Sequence, residues 1–288
     1  MLVRLLRDDF REEAEILFDK IISHEKGTLK IDHTEEFMKK IYCTTVKAPS
    51  TNKTDITIEI HDHRTDMNPT LGFSIKSALK SPSTLINASG STNFTYVIDG
   101  MNKTLCNAFD NMAHGEKIAD RYAQLTKRGV NVRFSGIDNK KMEDNLTLLD
   151  SDLPQMVSEM LKLHYVRGIS DITEQIKVLN EENPLGYRDT RKPFYEIKIR
   201  RMLGAFATGI QPNTDWDGID RANGGYIIVK KDGEVLCYHL YNRNEFEEYL
   251  IKNTRLETPS KTRWGHSKII STVDGYSIKM TLQVRFKE

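Results

Sequence analysis

With 288 residues, 38% of them hydrophobic, the chain can bury a substantial core as one large domain or two modest ones, which excludes a disordered segment. Lysine and arginine total 42 against 41 aspartate and glutamate, so the net charge of +1 excludes a globally basic nucleic-acid binder; a DNA footprint would have to be local. Cys43, Cys106 and Cys237 are far apart and form no CxxC pair, which argues against a zinc knuckle or a disulfide scaffold and fits a reducing compartment.

The N-terminal LVRLLRDDFREEAEILF is charged throughout, unlike a signal peptide, and no apolar run approaches about 18 residues, so a soluble cytoplasmic protein without a membrane span is expected. Residues 8–24 carry Phe10, Ala14, Ile16, Leu17, Ile21 and Ile22 among charges, the pattern of an amphipathic helix. A second short helix is expected in DHTEEFMKKIY, capped by Asp32 or Thr34. In TDITIEIHD, Ile56, Ile58 and Ile60 alternate with Thr57, Glu59 and His61, which predicts a half-buried strand. RTDMNPT supplies turn chemistry and LGFSIKS reads as the returning strand of a hairpin. KSPSTLINASG reads as a loop and TNFTYVID as a strand.

Helices are expected over 103–127 and 150–166, the latter with Leu153, Met156, Val157, Met160 and Leu161 at helical spacing. PFYEIKIRRML reads as the start of a strand. GGYIIVKKDGEVLCYHLY predicts a hairpin turning at Asp232 and Gly233, NEFEEYLIKN a short helix, and YSIKMTLQVRFK a final strand. The chain is expected to be a single domain over 1–288, with a subdivision into a catalytic core, 1–170, and a recognition region, 190–288.

Lys76 is the residue that the returning strand does not explain. Ser74 and Lys76 are two apart and share a strand face, and Asp55 at the start of the preceding strand can lie beside them. An anion, a hydroxyl and an ammonium in one patch suit phosphodiester hydrolysis: a carboxylate-bound Mg²⁺ and a lysine can position water and offset charge on phosphorus. Asp55 would hold the metal. A second carboxylate is needed, and Glu59, Asp62, Glu36 and Asp66 are candidates, although Glu59 would sit about 13 Å from Asp55 along an extended strand. The competing reading gives Lys76 a salt bridge or a snorkelling position at a strand end.

The run KTDITIEIHDHRT with LGFSIKSALKSPSTLINASGSTNFTYVI resembles type II restriction endonucleases of the HpaII family, as do GGYIIVKKDGEVLCYHLYNRNEFEEYL, NTRLETPSKTRWG and LQVRF; the likeness runs from about residue 30 to the C-terminus. It implies an α/β, restriction-endonuclease-like core with a mixed central β-sheet flanked by helices. Asp55 then matches the metal-binding aspartate and Lys76 the motif lysine, while Ser74 stands where the wider class has Glu or Asp. The resemblance also implies an N-terminal helix with a GEWSE-like motif where this chain opens MLVRLLRDDF, so either an upstream segment or a truncated relative is expected. Glu12, Glu13 and Glu15 of the first helix are alternatives to the missing motif's acidic residue, but are expected to face solvent.

For DNA contact, KNTRLETPSKTRWGHSK, residues 252–268, is the strongest local basic footprint: Arg255 and Arg263 suit guanine edges, Lys261 and Lys268 phosphates. An exposed, solubilising loop competes with that reading. Asn87, Ser89, Ser91 and Asn93 follow the Lys76 strand closely enough to touch DNA as well. The expected function is a Mg²⁺-dependent type II deoxyribonuclease cutting double-stranded DNA at a short palindrome, CCGG in the family's namesake. Its implied partners are a second copy in a homodimer and a cognate DNA methyltransferase. The alternatives are a non-catalytic DNA-binding or interaction domain derived from a truncated enzyme, and an enzyme with structure-specific or nonspecific DNA cleavage.

Overall fold

The computed structural model describes residues 5–23, 31–43, 52–61, 64–78, 82–110, 122–124, 126–230, 232, 234–239, 242–260, 268–272 and 275–287. Their elements, in chain order, begin with α1 (Arg7–Ser23), α2 (Asp32–Lys40), β1 (Ile56–Glu59), β2 (Thr70–Ser77), β3 (Thr84–Ile86), β4 (Asn93–Asp99), α3 (Lys103–Asp110) and β5 (Asn131–Ile137). The helices α4 (Lys140–Leu149), α5 (Leu153–Arg167), α6 (Ile172–Glu182) and α7 (Phe194–Thr208) follow in succession. After them come β6 (Gly225–Val229), β7 (Val235–His239), α8 (Arg243–Asn253), β8 (Thr254–Leu256), β9 (Ile269–Thr272), β10 (Gly275–Thr281) and β11 (Val284–Phe286).

The fold is α/β, with strands in three sheets: a mixed sheet β1-β2-β6-β7, an antiparallel sheet β5-β4-β10-β9, and a three-stranded sheet β3-β11-β8. Each sheet joins strands that precede residue 170 to strands that follow residue 190. The mixed sheet is mixed because β2 pairs parallel with β6, whereas β1 and β7 pair antiparallel. Helix α5 lies in the core, with Met156, Val157, Met160 and Leu161 fully buried at the expected helical spacing. Phenol hydroxyls tie it to the antiparallel sheet: Tyr96 donates to Ser158 O at 2.8 Å and Tyr165 to Thr281 O at 3.0 Å. Gly168 ends the helix at φ 73°, in the left-handed conformation that costs glycine least.

Several expectations change in the structure. PFYEIKIRRML is helix, not strand: Tyr195, Ile199, Met202, Leu203 and Phe206 recur at helical spacing and are all buried, and that longer period overrides the brief alternation in EIKI. The 80–90 stretch is not wholly loop, because Thr84–Ile86 forms β3 with Leu85 and Ile86 buried. β1 is a strand but not half-buried; as a sheet edge it leaves Ile56 and Ile58 42% and 44% exposed. Ile31 occupies the N-cap of α2 without a side-chain cap, so neither Asp32 nor Thr34 caps it. The final alternating run breaks at Leu282–Gln283 into β10 and β11, which belong to different sheets.

Candidate active site

The β1–β2 register pairs Ile56 with Phe73, and Asp55 N extends the ladder by donating to Phe73 O at 2.8 Å. Continued by one residue, this register sets Asp55 against Ser74. The contacts agree: Asp55 Oδ2 accepts from Ile75 N at 2.6 Å and from Ser74 Oγ at 3.3 Å. Ser74 is 2% exposed, so its hydroxyl orients the aspartate from beneath, while Asp55 itself is exposed. Both bonds use Oδ2, which leaves Oδ1 without a hydrogen bond among the described residues.

Lys76 lies two residues further on β2, partly buried and without a hydrogen bond or ion pair among the described residues. The salt-bridge explanation of this lysine is therefore not what the structure holds. Burial lowers the pKa of its ammonium, and the negative charge of Asp55 opposes that shift. Asp55, Ser74 and Lys76 thus form one patch at the centre of the mixed sheet.

Two neighbours escaped the sequence reading. Lys53 donates to Phe206 O in the last turn of α7, and its pKa is lowered to about 7 by burial, then by the charge of Lys76, with Asp55 opposing. Tyr226 faces Ser74 across the parallel β2–β6 pairing and is 1% exposed. Its hydroxyl has no hydrogen-bond partner among the described residues; burial raises its pKa and the charge of Asp55 adds to the rise. Alternation along GGYIIV gave Tyr226 a strand position, but only the sheet order puts it beside Ser74.

Close packing fixes this patch. Gly72 N donates to Asn223 Oδ1 at 2.8 Å, and Gly224 N donates to Gly72 O at 2.8 Å. A Cβ on Gly72 would lie 2.2 Å from Arg221 O. Glycine is required here for close backbone approach.

Of the proposed second carboxylates, none of the three that are described has a contact with Asp55. Glu59 ends β1 opposite Thr70, Asp66 binds His61 Nε2 at 3.0 Å, Glu36 is exposed on α2, and Asp62 lies outside the described residues. Among the described residues no group of three His, Cys, Asp or Glu is arranged to hold a metal. Glu13 departs from expectation, because its side chain is only 12% exposed and binds His33 Nδ1 at 2.8 Å, turning it toward α2; Glu12 and Glu15 are exposed.

Of the residues expected to meet DNA, Asn87 is exposed just past β3 and shares a cleft of about 580 Å³ with Thr258 and Ser260 past β8. The two stretches singled out for DNA contact therefore converge at one end of the three-stranded sheet. Ser89 accepts from Ser91 N at 3.2 Å as the cap of a short 3-10 turn, and Ser91 Oγ accepts from Asn139 Nδ2 at 3.1 Å. Asn93 is not on the loop surface: it is 3% exposed at the start of β4, where its Oδ1 accepts from Thr281 Oγ1 at 2.6 Å. Arg255 is exposed on β8 and Lys268 is exposed before β9, whereas Lys261 and Arg263 lie outside the described residues.

The model of the HpaII restriction endonuclease family matches residues 2–286, extending the likeness well ahead of residue 30. The type II restriction enzyme HpaII of Haemophilus parainfluenzae is 39% identical over 283 residues, covering 96% of this chain and 77% of that enzyme. No solved structure matches the chain. The chain belongs to the HpaII restriction endonuclease family.

Proposed function

We propose that the chain is a Mg²⁺-dependent type II restriction endonuclease that hydrolyses both strands of duplex DNA at a short palindrome, with CCGG as the target implied by its family. Membership of the family supports DNA endonuclease activity in general. The observation that carries the chemistry is a partly buried Lys76 with no ion pair among the described residues, within the field of an aspartate whose Oδ1 makes no hydrogen bond among them. An unpaired charge in such a place is costly unless a ligand completes it.

The donor set fits magnesium, which commonly takes one or two carboxylates and fills its remaining positions with water and substrate phosphate oxygens. Asp55 would hold the ion through Oδ1, with Ser74 Oγ and Ile75 N fixing the carboxylate through Oδ2. The bound ion would supply a more acidic water and neutralise charge at phosphorus. Lys76 orients the attacking water and donates to the phosphate as negative charge grows there. Hydrolysis proceeds without a covalent enzyme intermediate. A palindromic target favours a two-fold dimer with one active site per strand, and a methyltransferase of matching specificity would protect host DNA.

The test is incubation of unmethylated plasmid with Mg²⁺ or with EDTA, followed by sequencing of fragment ends. Discrete fragments formed only with Mg²⁺ and sharing one palindromic end are expected. Ends without a common sequence would overturn site specificity, and no cleavage would leave a DNA-binding relative without nuclease activity.

A further inference from the structure

The outer face of the three-stranded sheet carries an arrangement that folding alone does not favour. Arg285 on β11 and Arg255 on β8 are direct cross-strand partners, so two guanidinium groups stand side by side on one face. Like charges placed directly opposite destabilise an antiparallel pair. The opposite face is core, since Thr254, Leu256, Val284 and Phe286 are all buried. Only one of the two arginines is neutralised: Arg285 Nε lies 2.9 Å from Glu257 Oε2, with both side chains about one-third exposed, at 30% and 32%. Arg255 is exposed and has no side-chain partner among the described residues. Gln283, on the same face as Arg285, and Asn87 line the adjoining cleft of about 580 Å³.

We infer that this face reads base edges in the DNA major groove, with Arg255 and Arg285 on guanine and Glu257 on cytosine. The inference rests on the site-specific DNA cleavage proposed above. An arginine fork matches guanine O6 and N7, and a carboxylate accepts from the cytosine N4 amino group, so two guanidinium groups beside one carboxylate form the donor and acceptor set of G·C pairs. The major groove is wide enough to admit β-structure. The Arg285–Glu257 ion pair restrains both side chains before DNA arrives, and Arg255, without a side-chain partner among the described residues, supplies the unsatisfied donor that draws a guanine edge. The cross-strand repulsion between the arginines is offset when base acceptors lie over them.

The experiment uses the full chain in EDTA, so that binding is read without cleavage, and a random-sequence duplex pool whose bound fraction is sequenced. Wild type is expected to enrich a G·C-containing motif. Arg285→Ala and Glu257→Gln are each expected to lose discrimination at one base-pair position by about tenfold or more. Arg285→Lys keeps the charge and the partner for Glu257 but lacks the fork, so it should fold with the thermal stability and salt dependence of wild type, lose the same position, and bind the preferred sequence about tenfold more weakly. A wild-type motif that survives intact in Arg285→Lys and Glu257→Gln overturns this assignment while leaving sequence-specific recognition standing. A wild type that enriches no motif overturns the site-specific reading itself, and this inference with it.

Discussion

Lys198 on α7 and Lys76 on β2 are both partly buried lysines beside aspartate, and they are built in opposite ways. Lys198 Nζ lies 2.6 and 2.7 Å from the two oxygens of Asp150 and 2.9 Å from Asp152, which also accepts from Tyr187 OH at 2.7 Å. Burial alone would lower its pKa, but hydrogen bonds to Asp150 and Asp152 outweigh burial and raise it. Lys76 has the burial without the partners, and its pKa falls. A satisfied charge locks α7 to the start of α5; the proposed function gives the unsatisfied one a ligand.

The comparison can be broken most severely at Asp55. Asp55→Asn keeps an acceptor for Ile75 N but removes the carboxylate charge, so plasmid cleavage is expected to fall by about 10²- to 10³-fold with little change in thermal unfolding. Lys198→Ala should do the reverse, lowering stability by about 3 kcal/mol in urea titration because two carboxylates lose their cation, while turnover per folded molecule is preserved. Alkaline pH sharpens the contrast. Lys53, lowered from 10.5 to about 7 in the fold, binds its proton more tightly when unfolded. Its penalty is complete below pH 7, so stability rises with pH from about 7 to 10.5, by up to about 1.4 kcal/mol per unit for this group. Lys198, raised above 10.5, contributes stability that is complete below 10.5 and lost above its folded value. Lys53→Met should flatten the first slope in urea titrations across that range. The smallest effect is expected from Tyr226→Phe: its hydroxyl has no hydrogen bond among the described residues, so thermal unfolding should show stability unchanged or higher by less than about 1 kcal/mol.

The patch of Asp55, Ser74 and Lys76 was legible because strand pattern and hairpin pairing together locate it. Alternation set Ser74 and Lys76 on one face, and the hairpin brought Asp55 to them. Local pattern has no access to which strands become neighbours across the sheet, and Tyr226 meets Ser74 only through a parallel pairing that spans some 150 residues. Lys53 was hidden for a related reason, since its partner is a backbone carbonyl on α7, a segment whose brief EIKI alternation mimics a strand. The reading face was half legible. Arg255 stood out in a basic run, but Arg285 and Gln283 acquire meaning only when β11 settles between β3 and β8. Asn93 shows the converse error, a polar residue expected to touch DNA that the fold spends on a buried bond to Thr281.

The most direct test of the central claim, that an unpaired Lys76 serves the reaction and not the fold, is single-turnover cleavage of plasmid DNA by Lys76→Ala beside wild type at equal folded concentration. The expected result is a loss of about 10²- to 10³-fold in the Mg²⁺-dependent rate with a melting temperature no lower than wild type. Cleavage at the wild-type rate, or a loss of rate that follows a loss of folded protein, would contradict it.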